Sequence, residues 1–191
     1  MRALSLGVVL FFCGCGSSPN TTYYALAAVS GTIRQASLGT VEVRRPGIAG
    51  YLDRTEILGP WDGQRLQLSQ GAGWAEPISA MVGRVLAENL ESRLPGTVVF
   101  AASSDLSLQA NTVIELVIRK FDLGSDGNVH LNVLWSVRGG GQTTTRTSSL
   151  QATPSAADTG PTVTAMGSLL GKLADEIAGA LLSRGSPAAP P

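Results

Sequence analysis

Histidine and free cysteine are what this chain does without. His130 is the single histidine, and the two cysteines, Cys13 and Cys15, both fall within the first fifteen of 191 residues. Zinc centres of the usual His and Cys type and histidine-rich metal clusters are therefore excluded. A hydrolase needs a nucleophile with a nearby base, and His130 has no carboxylate or serine beside it in the sequence, so no catalytic residue is assigned. Charge is scarce as well: 14 basic and 14 acidic residues make up 15% of the chain, against about 25% in an ordinary soluble protein. The two signs cancel, which leaves no basic footprint for nucleic acid. Little charge also means a surface suited to being covered by partner or sister chains. Long apolar runs are missing too. The N-terminal one, Ala3 to Phe12, is well short of the ~20 residues that a membrane-crossing helix requires.

What the N-terminus does have is Arg2, that apolar stretch, and then Cys13-Gly14-Cys15-Gly16-Ser17-Ser18. A positive start, an apolar middle and small residues before a cut make an export signal, and a cysteine at the cut makes it a bacterial lipoprotein signal. Gly14 precedes Cys15, whereas Cys13 follows bulky Phe12. Cys15 is therefore the expected lipidated residue, carrying palmitate-type acyl chains, and residues 1–14 the removed signal. The alternative is a plain signal peptide cut nearby, which would leave a soluble secreted protein. Once Cys13 is removed and Cys15 acylated, no thiol remains for a disulfide, a metal or a nucleophile. Gly16, not aspartate, follows Cys15. By resemblance to lipoprotein sorting in enterobacteria, that implies the periplasmic face of the outer membrane.

After a lipidated tether over 15–22, a single domain is expected over 23–184, ending in a Pro and Ala tail over 185–191 that has nothing to bury. Its pattern predicts an α+β fold: a mostly antiparallel sheet with two amphipathic helices packed on one face. Strands are predicted at Tyr23 to Val29, Leu38 to Arg44, Gln64 to Gln70 and Thr97 to Ala101. A hairpin joins Thr112–Leu123 to Val129–Arg138 through a turn at Ser125-Asp126-Gly127, with Val129, Leu131, Val133, Trp135 and Val137 on one face. Threonine-rich Gln142 to Leu150 suits an edge strand, open to strand addition by a partner. Ile78, Met81, Val82, Val85, Leu86, Leu90 and Leu94 recur at helical spacing after Pro77, and Val163, Met166, Leu170, Leu173, Ile177 and Leu181 do so after Pro161.

Few residues look chemical, and each has a plainer explanation. Asp122, Asp126 and Asn128 lack the twelve-residue loop and closing glutamate of a calcium hand, and a hairpin turn accounts for them. Gly139-Gly140-Gly141 is not followed by Lys-Ser or Lys-Thr and opens no helix, so it is no phosphate loop. His130 sits on the polar side of its strand and is expected in solvent. Tyr51-Leu52-Asp53-Arg54 is a candidate partner-docking loop, since exposed Tyr and Arg make favoured anchors. Alternatively Tyr51 and Leu52 fill the core while Asp53 and Arg54 pair across a turn. Trp74, followed by Glu76 and Pro77, is a further candidate for the recognition surface, or else a staple over the start of the first helix.

The order of these segments resembles the ABC-type transport auxiliary lipoproteins. The resemblance rests on lipidated Cys15, Tyr23-Tyr24-Ala25-Leu26, Tyr51-Leu52-Asp53-Arg54 with Ile57 shortly after, Gln64-Arg65-Leu66, Trp74-Ala75-Glu76-Pro77 and Val85-Leu86-Ala87-Glu88-Asn89-Leu90, then the hairpin and last helix. It covers nearly the whole mature chain. Gly47-Ile48-Ala49-Gly50 departs from it, standing where the family often has proline. The resemblance implies a non-catalytic accessory beside a permease, an ATPase and an MCE-domain periplasmic protein, without a cofactor, in lipid movement between the two membranes of the envelope. A domain of about 160 residues has a radius of gyration of about 15 Å and cannot bridge the periplasm, so a longer partner must reach it, and a ring of identical copies would make a collar for that partner. The other function class is a lipoprotein regulator of cell-wall synthases, or an assembly factor of another envelope complex.

Overall fold

A computed structural model describes residues 20–61, 64–103 and 108–185. The expected signal over 1–14, Cys15 and residues 186–191 of the expected tail lie outside the described residues. In chain order the elements are β1 (Thr22–Tyr24), β2 (Thr40–Val43), β3 (Gly47–Ile48), β4 (Glu56–Leu58), β5 (Leu68–Trp74), α1 (Ile78–Arg93), β6 (Val98–Ala101), β7 (Thr112–Leu123), β8 (Val129–Gly139), β9 (Gln142–Ala152) and α2 (Thr159–Gly185). β1 takes in Thr22 from the expected tether, and α2 runs on through Gly185, the first residue of the expected tail.

The large sheet has the order β6-β2-β7-β8-β9, with β3 beside β7. β7, β8 and β9 form an antiparallel meander whose register puts Ile114 opposite Val137 and Val137 opposite Thr144. β2 pairs in parallel with β6 and β7, and β3 does so with β7. The antiparallel ladders are the longer, and the class is α+β. Parallel neighbours need a crossover rather than a hairpin, and α1 lies in the connection from β2 to β6.

Alternation along β8 makes the core. Val129, Leu131, Val133, Trp135 and Val137 are all buried, as are Leu169, Leu170, Leu173 and Ile177 of α2, which packs against β7, β8 and β9. Trp135 keeps a polar partner: its Nε1 donates to Ser148 Oγ at 2.8 Å, and Ser148 in turn bonds Glu176 of α2. α1 covers β2 and β6 and packs against α2. β9 lies at the edge of the sheet, with Thr143, Thr145 and Thr147 exposed.

Three departures from the sequence expectation have physical reasons. β1 stops at Tyr24, and the chain beyond it, instead of remaining a strand to Val29, runs as an extended strap against both helices. Val29 N donates to Asn89 Oδ1 at 2.8 Å, while Arg93 of α1, only 1% exposed, donates to Val29 O, to Gly171 O and to Asp175 of α2 at 2.8 Å. The strap fits because α2 is glycine there: a Cβ on Gly171 would lie 2.3 Å from Val29 Cγ2. The strand expected over 64–70 begins only at Leu68, where the positive φ of Gly71 (65°) shifts the ladder, so Ala72 and Trp74 are buried and Leu66 and Leu68 are not. Finally, β1, β5 and β4 form a separate three-stranded sheet. β3 and β4, two and three residues long, are too short for an alternating pattern to reveal.

Candidate functional site

The Tyr51–Arg54 turn follows β3, which is hydrogen-bonded along β7, and this brings it over the far end of the meander. Leu52 N donates to Ala49 O, Arg54 N to Leu52 O, and Arg54 Nε to Tyr51 O at 2.9 Å. The turn is thus held by its own backbone, with Arg54 folded back on it. Leu52 is buried at 2% exposure, Tyr51 and Arg54 are half-buried and Asp53 is exposed. Trp74 is 6% exposed and belongs to the core. Four neighbouring sequence positions therefore divide between packing and display. Asp53 with the edges of Tyr51 and Arg54 forms the accessible part, and Leu52 and Trp74 support it from below.

Two residues that sequence reasoning did not single out for this site, Trp61 and Lys120, complete it. Trp61 is clipped to the hairpin: its N donates to Leu123 O at 3.0 Å and its O accepts from Ser125 N at 3.1 Å. Its ring lies 5.0 Å from that of Tyr51, tilted by 47°, a geometry favoured by aromatic quadrupoles. Lys120 Nζ sits 5.7 Å from the Trp61 ring centroid, within cation–π range, and 3.7 Å from Asp122 Oδ1. Asp122 is fully buried, and its Oδ2 accepts the Tyr51 hydroxyl at 2.6 Å. Burial foremost, then the hydrogen bond and the negative charge of Asp122, push the Tyr51 phenol well above its ordinary range. Tyr51 is therefore neutral and acts as the donor in that bond.

The patch is under-satisfied. Trp61 Nε1 and Asp122 Oδ1 are buried without a hydrogen-bond partner among the described residues. Unmet buried polar atoms are costly in a native protein and call for an explanation. An aromatic pair, a lysine and an exposed aspartate make a surface able to anchor another protein. The signal for Asp122 was a break in alternation. Phe121 and Asp122, adjacent on β7, are both buried because the register shifts between Ile118 and Lys120. Trp61 joins by an isolated bridge to Gly124, where no period marks it.

The remaining chemical candidates resolve into structure. His130, expected to be solvated without a carboxylate at hand, lies 3.0 Å from both carboxylate oxygens of Asp126, which the hairpin turn folds back onto it. Asp126 also accepts from the Asn128 backbone at 3.1 Å and from the Asn128 amide at 3.0 Å. These bonds, the Asn128 side chain first and His130 next, hold the Asp126 carboxyl well below the usual carboxylate range. The trio pins the turn. Among the described residues, no group of three or more His, Cys, Asp or Glu side chains is placed to hold a metal ion, and no helix is long and apolar enough to cross a membrane.

Comparison with known proteins agrees with the resemblance. The Escherichia coli (strain K12) protein named Intermembrane transport lipoprotein PqiC is 29% identical over 137 residues, spanning 70% of this chain and 72% of its own. The Shigella flexneri protein of the same name matches equally. Among solved structures, an uncharacterized protein superimposes with a TM-score of 0.72 at 20% identity, covering 85% of this chain and 99% of its own. A Xanthomonas campestris protein gives 0.70 at 20% identity, covering 86% and 97%. Both share the fold. The family model described as ABC-type transport auxiliary lipoprotein component matches residues 24–178, and the chain belongs to that family.

Proposed function

We propose that the chain is a non-catalytic outer-membrane lipoprotein subunit of an MCE-type ABC lipid transport system, docking its periplasm-spanning partner and helping to maintain membrane integrity. Acylated Cys15 holds it in the membrane. Tyr51, Asp53, Arg54, Trp61 and Lys120 form the docking patch, and Leu52 and Trp74 hold it in shape. The observation that carries this is the coincidence of family membership with a display site. The family's transport partners need a place to bind, and the patch presents aromatic and charged anchors. The name Intermembrane transport lipoprotein, borne by the two relatives, supports traffic between membranes as the setting. Identical copies assemble around the partner, with the unpaired side of β9 open to strand addition.

The test is to tag the full lipoprotein, extract membranes in mild detergent, crosslink lightly and identify what copurifies. The expected result is an MCE-domain protein with its permease and ATPase. Recovery of cell-wall synthases without any transporter component would overturn the proposal.

A further inference from the structure

The three-stranded sheet carries a second exposed surface, which begins at Thr55 and Glu56, just after the Tyr51–Arg54 turn. Its β1 strand lies beside β5, with Tyr23 opposite Gly73, and the Tyr23 ring passes so close that a Cβ on Gly73 would be 3.3 Å from its Cε1. Tyr23 is nevertheless 67% exposed, and Leu68 at the start of β5 is 46% exposed. Both line an open groove of about 550 Å³, and among the described residues Glu56 is the only charged one lining it. Tyr23 and Leu68 give this groove an amphipathic lining, apolar at the two exposed side chains and polar at Thr21, Thr55, Glu56, Ser69 and Gln70.

Distance along the chain says what the groove faces. Thr21, which also lines the groove, is six residues from Cys15. Six residues span at most ~22 Å when fully stretched and about 13 Å as a flexible coil. The headgroup layer of a bilayer is itself roughly 5–7 Å deep on each side. With Cys15 acylated, the mouth of the groove is thus kept within about 22 Å of the acylated residue, within reach of the headgroups. Tyrosine is enriched at that depth, its ring towards the acyl chains and its hydroxyl in water, and Glu56 can remain hydrated there.

We infer that the Tyr23–Leu68 groove rests on the lipid surface of the membrane that carries the anchor, making the small sheet the membrane-facing end of the domain. The inference rests on the acylation of Cys15 and fixes which way the docking patch can face.

The experiment uses the full lipoprotein, processed in cells, purified and reconstituted into vesicles of phosphatidylethanolamine and phosphatidylglycerol, with the photocrosslinker benzoylphenylalanine at position 23. A second preparation carries it at Val117, which is 48% exposed on the large sheet. Both positions are exposed, and matched melting temperatures confirm folding. The expected result on irradiation is a phospholipid adduct, read by mass spectrometry, at position 23 and several-fold less at 117. Equal labelling at both positions, a protein-to-protein adduct at 23, or no lipid adduct at 23 in a vesicle-bound protein would overturn the inference alone. Absence of acyl chains from Cys15 would overturn the anchor reading, and the inference with it.

Discussion

The meander and the three-stranded sheet follow opposite rules of construction. β7, β8 and β9 are 12, 11 and 11 residues long, joined by tight turns, and every second residue of β8 enters the core. The small sheet is assembled from segments of 3, 7 and 3 residues, and its middle strand is broken by the positive φ of Gly71. The first region is repetitive and held mainly by apolar burial. The second is irregular and displays Tyr23 and Leu68, and the turn before β4 carries Asp53. Display thus collects at one end of the domain, where the small sheet and the turn before β4 meet the end of the meander that carries Lys120 and clips Trp61.

The largest expected effect falls on the scaffold. Val133→Asp would bury an unpaired carboxylate between the meander and α2, at a cost of several kcal/mol, and the domain should be unfolded by circular dichroism. If it folds normally, the assigned facing of β8 is wrong. Arg93→Ala comes next, because it frees the strap from both helices at once. The partner left behind, Asp175, is 38% exposed, so the loss is that of the guanidinium's hydrogen bonds, about 1.5–3 kcal/mol for one made by a charged group, read as a lower denaturant midpoint. An unchanged midpoint would mean that the strap contributes nothing.

Tyr51→Phe sharpens the comparison at the display end. It leaves Asp122 Oδ2 without its donor and should cost about 1–3 kcal/mol. It also carries a pH signature. Above pH 10.0, the ordinary tyrosine value, the unfolded chain ionises this phenol while the folded chain holds its proton, so stability falls as pH rises. The variant should lack that part of the fall; an identical alkaline profile would contradict the neutral, buried hydroxyl. The smallest effect is expected from Asp126→Asn in the exposed turn. The lowered pKa of Asp126 contributes stability above the usual value of 3.8 that is lost as pH falls through it. The variant should be slightly less stable than the natural protein at neutral pH and converge with it in acid, giving a slightly flatter acid profile. A large loss at neutral pH would make the turn part of the scaffold.

Where residues repeat with a fixed period, their structure was legible in advance. The bounds of β7, the buried face of β8, the edge position of β9 and the apolar stripes of both helices follow from alternation and 3.6-residue spacing. The strap from 25 to 38 was not legible, because its partners Asn89, Arg93, Gly171 and Asp175 are distant in sequence. At the site, Tyr51–Arg54 stood out by residue type, but Leu52 and Trp74 turned inward because apolar bulk is best spent in the core. Trp61 joins through an isolated bridge to Gly124, a long-range pairing that leaves no local trace.

The most direct test is partner recovery by two variants with matched melting temperatures. One is Trp61→Ala in the patch; the other is Thr145→Lys on the exposed side of β9. The division of scaffold from display predicts that the first loses the copurifying MCE-domain protein and the second keeps it. Retention by Trp61→Ala together with loss by Thr145→Lys would place docking on β9, away from the Tyr51–Trp61 patch, and contradict the account.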